Sequence, residues 1–182
     1  DSATLMNKVF EIIEAKNIFN INYKDLMILT HPKSYIHSII YYQNGVFDLI
    51  GHETSMKIPL INSLKFGENF YIKTSELNLN VLNNLNFKYV DKKKFPLIKI
   101  LDNLPEKLSL FETILVSLND KLVELFLKKK ITYFYLCKKL LETIKLKSFK
   151  RFKKIQPKTI DEIINLSEYI NTNFEKLMYK KL

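Results

Sequence analysis

Four polar side chains near the start of the chain have the types and spacing to bind a phosphate group and a metal ion. Asn7 and Glu11 are four residues apart and Lys8 is three residues before Glu11, so all three border one face of a helix. Ser2 lies at the expected helix start, where free N–H groups and the helix dipole favour an anion. Ser2, Asn7 and Lys8 could hold phosphate or hydroxyl groups, while the Glu11 carboxylate could ligate Mg²⁺ or Mn²⁺ through oxygen.

A simpler interpretation stands beside this one. Ser2 could be only an N-cap, and Lys8 and Glu11 could be only a surface ion pair worth a few tenths of a kcal/mol. Spacing alone favours this simpler interpretation, so the chemistry needs support from elsewhere in the sequence.

The elements that would position these residues predict an α+β fold. Apolar residues at helical spacing predict a first helix, two β-rich runs around Asn44-Gly45 predict a hairpin, and a proline-initiated run predicts a short helix. These elements cover residues 3–19, 35–50 and 56–64.

The rest of the chain divides into a connector and a helical part. Residues 66–94 have no clear periodicity and predict an extended connector, whereas the sequence after Phe95-Pro96 predicts a small bundle of helices. We therefore predict the rear part of a catalytic domain over residues 1–65, the connector over 66–94, and a C-terminal α-helical bundle over 95–182. Helices of this bundle are expected at residues 97–104, 106–128, 133–146 and 159–182.

Composition excludes several classes of protein. With three glycines among 182 residues, the chain has no glycine-rich phosphate loop and so no self-contained dinucleotide-binding unit. The sequence contains no run of about 18 apolar residues, so no membrane-spanning helix is expected. The single cysteine, Cys137, cannot form an internal disulfide, and we expect it to lie in the core.

The net charge of +10 raises a second functional hypothesis, a basic nucleic-acid-binding module. Residues 145–154 interleave phenylalanines with basic side chains, a pattern that could suit a single strand. However, Arg151 is the only arginine, and a phosphate-reading surface would favour arginine's bidentate fork. A solvated loop between helices is the simpler interpretation, and we expect no nucleic-acid partner.

The exact strings resemble a known family. Residues 1–15 resemble the D-S-A-T-x-M-N-K-G-x-E-x-I-E-A segment of the 1-deoxy-D-xylulose 5-phosphate reductoisomerase family, and residues 31–38 resemble its H-P-Q-S-x-I-H-S. Residues 42–45 are similar to its Y-x-D-G, and residues 56–60 to its M-R-x-P-I. The likeness is strong to about residue 64 and faint afterwards, where residues 118–120 stand near the family's A-N-E.

The resemblance implies an activity and a set of roles. The family converts 1-deoxy-D-xylulose 5-phosphate to 2-C-methyl-D-erythritol 4-phosphate in non-mevalonate isoprenoid precursor biosynthesis, with NADPH and Mn²⁺ or Mg²⁺. Carried over by motif, Glu11 is a catalytic metal ligand that also meets the substrate, Ser2 and Asn7 hold the phosphate, and Lys8 contacts phosphate or hydroxyl oxygens.

Two further roles follow from the later motifs. His37 would lie close to the substrate as a catalytic residue, although without the motif a core histidine on a strand is the simpler interpretation. Met56 would contact the cofactor. His31 is expected to be structural, and Val9, which replaces the family's glycine, could crowd whatever approaches the first helix.

The family's N-terminal NADPH-binding part and its other metal ligands are not in these residues. We therefore expect the full-length protein to be an enzyme. This chain alone should have no turnover, because one carboxylate is too few to bind the metal well. A homodimer of the full-length protein, no membrane partner, and a bacterial cytoplasmic or plastid stromal location are also expected by resemblance. A third hypothesis is a decayed, non-catalytic relative.

Overall fold

The computed structural model describes residues 1–64 and 73–179. Contacts divide the chain into two compact units, one formed by residues 1–27 with 91–182 and the other by residues 28–90. In the part of the chain that the structure describes, no helix is both long enough and apolar enough to cross a bilayer.

Helices dominate the first unit, and the second combines short antiparallel strands with two short helices. The helices are α1 (Met6–Phe19), α2 (Lys57–Ser63), α3 (Leu79–Leu82), α4 (Leu110–Leu127), α5 (Tyr133–Thr143), α6 (Lys147–Lys150) and α7 (Ile160–Tyr179). The strands are β1 (Leu29–Thr30), β2 (Ile36–Tyr41), β3 (Phe47–Gly51) and β4 (Lys88–Tyr89). Turns of 3₁₀ helix cover Ser2–Thr4, Tyr23–Asp25, Pro96–Asn103 and Arg151–Lys154. This mixture confirms the α+β prediction.

The predicted first helix is present but does not start as a single helix. A 3₁₀ turn over Ser2–Thr4 is separated from α1 by Leu5, whose backbone is left-handed with φ 57°. A leucine in the left-handed conformation costs about 1–2 kcal/mol. The residues around Leu5 do not predict this conformation. Because of this break, the 3₁₀ turn and α1 do not form one continuous helix, and Ser2 does not cap α1.

The core of the first unit joins α1 to the helical bundle. Met6 and Val9 of α1 are fully buried, and α1 packs against the 3₁₀ helix Pro96–Asn103. α4 is the central helix, with α5 and α7 packed against it. The buried side chains of α4 include Ile114, Leu115, Leu118 and Leu122. Cys137 is buried among the apolar residues of α5, as expected.

Two details of the bundle differ from the sequence-based expectation. The segment predicted as a helix at residues 97–104 is a 3₁₀ helix. The segment at residues 145–154, expected as a solvated loop, contains α6 and a 3₁₀ turn instead, because Phe149 turns inward and is only 3% exposed. The buried Phe149 anchors this segment to the bundle.

The second unit contains the predicted hairpin. β2 and β3 pair antiparallel, with Tyr41 opposite Phe47, and Gly45 in the connecting turn has φ 87°. Glycine adopts this positive φ without steric cost, which explains why Asn44-Gly45 marks the turn. A register shift between Ile36 and Ser38 bulges the start of β2.

The connector is less extended than its sequence suggests. Within residues 73–94 the chain forms α3 and then β4, which pairs antiparallel with β1 through Leu29 opposite Tyr89. Residues 65–72 of the predicted connector lie outside the described residues. α1 packs against the 3₁₀ helix Pro96–Asn103 and belongs to the unit of residues 1–27 with 91–182, so the compact units divide the chain differently from the predicted 1–65, 66–94 and 95–182 segments. The domain boundaries of the full-length protein therefore stay a prediction.

The start of α4 carries a complete capping box that should be measurable in stability. The Ser109 hydroxyl accepts from the Phe111 backbone N–H at 3.2 Å, and the Glu112 carboxylate accepts from the Ser109 backbone N–H at 3.2 Å. Ser109 is 3% exposed. We expect Ser109→Ala to lower the free energy of unfolding by about 1 kcal/mol, measured by urea denaturation. An unchanged midpoint would show that the cap contributes nothing to stability.

Candidate active site

The structure brings three of the predicted site residues together on the first turns of α1. The Lys8 ammonium lies 3.0 and 2.8 Å from the two carboxylate oxygens of Glu11, and the Asn7 amide nitrogen lies 3.5 Å from Glu11 Oε1. The side chains of Lys8 and Glu11 are 40% and 51% exposed. The ammonium and the carboxylate therefore face solvent, beside the half-buried Asn7 amide.

Asn7 carries an unmet hydrogen-bonding requirement. Its amide oxygen is buried and has no hydrogen-bond partner among the described residues. Leaving a buried acceptor unsatisfied costs about 1–3 kcal/mol, and such atoms often mark a site for a ligand or an ion. The Asn7 oxygen is therefore a ready acceptor for a substrate hydroxyl or a ligand for a cation.

Ser2 lies on the preceding 3₁₀ turn, in the same unit as the cluster. No side-chain cap bond forms at the start of this turn or of α1. The simpler interpretation of Ser2 as the N-cap of the first helix is therefore wrong, because Leu5 occupies the capping position. The exposed Ser2 hydroxyl remains available to a ligand in this geometry.

The helical bundle holds this segment in place through polar contacts from far along the chain. The fully buried Asn119 of α4 donates its amide to the Asp1 carboxylate at 2.9 Å. The Tyr133 hydroxyl donates to the Ala3 carbonyl at 3.1 Å, and burial raises the pKa of Tyr133, which keeps this donor protonated. Thr4, itself 4% exposed, donates to the Asp1 carbonyl at 2.9 Å.

These anchors are the residues that local sequence reasoning missed. Asn119 and Tyr133 lie more than a hundred positions away from the segment that they hold, and spacing arguments cannot join positions that distant. One signal was present: a polar Asn119 inside the apolar run of α4 needs a partner, and residues 118–120 stand near the family's A-N-E.

The donor set fits a divalent metal only in part. The Glu11 carboxylate and the buried, unpartnered Asn7 oxygen are both oxygen ligands of the kind that Mg²⁺ and Mn²⁺ prefer. Across residues 1–64 and 73–179, however, no group of three or more His, Cys, Asp or Glu side chains could hold a metal. This chain can contribute a wall of a metal site, and further carboxylates would have to complete it.

The other predicted site residues, His37 and Met56, lie in the second unit. The exposed ring of His37 on β2 stacks on His52 with 3.7 Å between ring centroids, and its Nε2 lies 3.2 Å from the His52 carbonyl. Without the family motif, the simpler interpretation of His37 was a core histidine on a strand. That interpretation is wrong, because His37 is exposed on β2. Met56 precedes α2 and is 67% exposed.

His31 has a structural environment. Its Nε2 lies 3.2 Å from the Ile36 nitrogen and 3.0 Å from the Ile36 carbonyl, and its ring packs at 5.2 Å from Phe87. These contacts close the loop after His31-Pro32 onto the start of β2. The Nε2 side of the imidazole therefore shapes the loop.

The basic stretch at residues 145–154 lacks the geometry of a single-strand platform. Base stacking needs exposed aromatic faces, yet Phe149 is buried and Phe152 is half-buried beneath Arg151, whose guanidinium carbon lies 4.9 Å from the ring centroid. The nucleic-acid hypothesis is therefore not favoured by this geometry.

The chain has an α+β fold in which α1 presents an amide, an ammonium and a carboxylate within hydrogen-bonding distance of one another. The family model described as "DXP reductoisomerase C-terminal domain" matches residues 52–172, which is more than half of the chain. The chain belongs to the DXP reductoisomerase family.

Individual relatives agree with this assignment. The 1-deoxy-D-xylulose 5-phosphate reductoisomerase of Pelagibacter ubique is 50% identical over 177 residues, covering 97% of this chain and 46% of the relative. That of Clostridium perfringens strain 13 is 35% identical over 170 residues, covering 93% and 43%. The chain thus spans about half the length of the curated relatives it matches.

Solved structures share the fold. A structure titled as DOX-P reductoisomerase in complex with magnesium is 25% identical with a TM-score of 0.83, covering 100% of this chain and 47% of that chain. The Zymomonas mobilis enzyme in complex with NADPH is 24% identical with a TM-score of 0.81, also covering 100% and 47%, and shows the fold alone. The similarity extends over both compact units of this chain.

Proposed function

We propose that the full-length protein is a reductoisomerase that converts 1-deoxy-D-xylulose 5-phosphate to 2-C-methyl-D-erythritol 4-phosphate, in the non-mevalonate route to isoprenoid precursors. The observation that carries this proposal is the Asn7–Lys8–Glu11 cluster, which stands on α1 at the positions of the family motif. Family membership supports it, and the decayed-relative hypothesis is not favoured because the polar residues of the motif are all present.

The roles follow from the chemistry of each side chain. Glu11 would help to hold Mg²⁺ or Mn²⁺ together with carboxylates outside these residues, and it would also contact the substrate. Lys8 exchanges part of its ion pair with Glu11 for a phosphate or hydroxyl oxygen of the substrate. Ser2 and Asn7 donate hydrogen bonds to the phosphate.

The cofactors supply the steps that side chains cannot. A bound divalent metal would supply stabilisation of negative charge on the substrate's oxygens, and NADPH would supply the hydride. His37 lies close to the substrate in this proposal, and its exposed, stacked ring has a fixed orientation. Met56 offers an exposed thioether as an apolar contact for the cofactor.

The assembly and location are also proposals. We infer a homodimer of the full-length protein, supported by the apolar side chains that the β2–β3 hairpin leaves exposed, among them Ile39, Ile40, Phe47, Leu49 and Ile50. The location would be the cytoplasm of a bacterium or the stroma of a plastid. Light scattering during gel filtration checks the dimer directly.

The test of the activity is an assay of the full-length protein with 1-deoxy-D-xylulose 5-phosphate, NADPH and Mn²⁺ or Mg²⁺. We expect NADPH oxidation that depends on both substrate and metal, with 2-C-methyl-D-erythritol 4-phosphate as the product identified by mass spectrometry. The present 182 residues alone should give no turnover, because they hold one candidate metal carboxylate.

Two results would contradict this proposal. NADPH oxidation by the 182-residue chain alone would show that the metal site is complete within it. A folded full-length protein without metal-dependent turnover would leave the motif without its chemistry and support the decayed relative.

A further inference from the structure

The helical bundle contains a cavity that lies apart from α1. It has a volume of about 250 Å³ and opens between the 3₁₀ helix Pro96–Asn103, the C-terminal end of α5 and the segment that follows α5. Its apolar wall consists of Ile100, Phe111, Leu141 and Ile144. None of these residues belongs to the site assigned above, so the cavity needs an explanation of its own.

Four lysines line the same cavity, and none of its lining residues is a carboxylate. These lysines are Lys99, Lys145, Lys150 and Lys153. Like charges gathered around one concave space repel each other, and low-dielectric walls strengthen their field. An anion that enters this space would be attracted by the four ammonium groups around it.

Lys153 is held in place rather than free at the surface. Its ammonium donates to the Asn103 carbonyl and lies 4.8 Å from the ring centroid of Phe111. Burial, followed by the neighbouring Lys150 charge, lowers the pKa of Lys153, while the buried Glu112 carboxylate opposes this shift. A fixed and partly desolvated ammonium interacts more strongly with an anion than a solvated one does.

We propose that this cavity binds a small phosphate ester with a short apolar group. The phosphate meets the ammonium groups of the four lysines, and the apolar group lies against the wall formed by Ile100, Leu141 and Ile144. The volume is below the range of about 300–1,000 Å³ that is typical of pockets for drug-sized ligands, which limits the ligand to a small molecule.

A small molecule fits better than a nucleic acid. A single strand needs an open groove and exposed aromatic rings, whereas Phe111 at the cavity wall is 1% exposed and Phe149 nearby is 3% exposed. The four lysines border one partly open cavity, three of them as exposed side chains, instead of following an extended surface path. The proposal is independent of the reductoisomerase assignment, because α1 contributes nothing to the cavity.

The experiment is a calorimetric titration of the full-length protein with pentyl phosphate and with inorganic phosphate at about 0.15 M salt, where surface charges are largely screened. The double variant Lys150→Met and Lys153→Met removes two cavity lysines. The matched control, Lys147→Met and Lys154→Met, removes two exposed lysines of the same segment that do not line the cavity. Both variants change the net charge equally.

We expect pentyl phosphate to bind at least about tenfold more weakly to the cavity double variant, and within twofold of the wild type to the control. Inorganic phosphate should bind more weakly than pentyl phosphate, because it leaves the apolar wall unused. The Lys8→Met variant should keep this binding, which separates the cavity from the phosphate site proposed on α1.

Several results would overturn the proposal. These are no binding of pentyl phosphate to the wild type, an equal loss in both double variants, or binding that disappears with Lys8→Met. If an oligothymidine binds instead of pentyl phosphate, and both double variants weaken its binding equally, the lysines of this segment bind nucleic acid. Because Lys153 covers Phe111 and its loss could unfold the bundle, the exposed pair Lys99→Met and Lys145→Met provides a second test with the same expected loss.

Discussion

Replacing Glu11 by glutamine in the full-length protein is expected to lower kcat/KM of the reductoisomerase reaction by about 100- to 1,000-fold. Losses of this size are typical when an enzyme loses one preorganised electrostatic contact. Glutamine keeps the size of the side chain but removes the negative charge that a divalent metal needs. The concentration of Mn²⁺ or Mg²⁺ required for half-maximal activity should rise in parallel. Steady-state NADPH oxidation across a metal titration measures both effects.

This loss should not come from unfolding. Glu11 pairs with Lys8 at the surface, where both side chains are about half exposed, and such pairs contribute at most about 1 kcal/mol. The melting temperature should therefore change little. Glu14→Gln is the matched control, because Glu14 is an exposed carboxylate on the same helix, one turn further along.

The two variants together give a clear answer. Full activity and an unchanged metal requirement in Glu11→Gln would show that the metal role belongs elsewhere. An equal loss in Glu14→Gln would show that any charge change on α1 disturbs the site. Only a selective loss at Glu11 supports the proposed role.

Local rules predicted those parts of the fold whose causes are local. Asn44-Gly45 predicted the hairpin because a positive φ is cheap for glycine, and the chain has φ 87° there. The helix predicted from residue 159 agrees with the start of α7 at Ile160, where the Glu162 nitrogen donates to the Thr159 hydroxyl at 3.3 Å. In each case the residues that decide the structure lie within a few positions of one another.

Features of the fold that depend on contacts between distant residues could not be predicted from the sequence. β4 forms because Lys88 and Tyr89 find β1 almost sixty residues earlier, and two residues of strand carry no periodicity of their own. The left-handed Leu5 has no glycine to mark it and persists because the segments around it are fixed by Asn119 and Tyr133. Tertiary contacts override local preference at both places.

The candidate site shows the same division. Helical spacing was enough to place Asn7, Lys8 and Glu11 on one surface, and the structure has them within hydrogen-bonding reach. Their chemistry came from the family motif, since an exposed Lys–Glu pair is common on helices. The anchoring by Asn119 needed the three-dimensional fold.

Val9 offers a test of how α1 is held, and reverting it to the family's glycine is expected to destabilise the protein by about 3 kcal/mol. The sequence suggested that Val9 could crowd a ligand, but its side chain is fully buried, so it points into the core. Val9→Gly loses the burial of a valine side chain, worth about 1.5–3 kcal/mol, and places glycine inside a helix at a cost of about 1 kcal/mol. Thermal and urea denaturation measure the loss.

Val9→Ala separates the two contributions, because alanine removes most of the side chain but keeps the helix propensity. It should cost about 2 kcal/mol, less than the glycine variant. Since α1 carries the Asn7–Lys8–Glu11 cluster and packs against the 3₁₀ helix Pro96–Asn103, loosening it should also lower activity more in the glycine variant. Higher activity with unchanged stability in Val9→Gly would instead mean that valine obstructs the site, and the burial argument would fail.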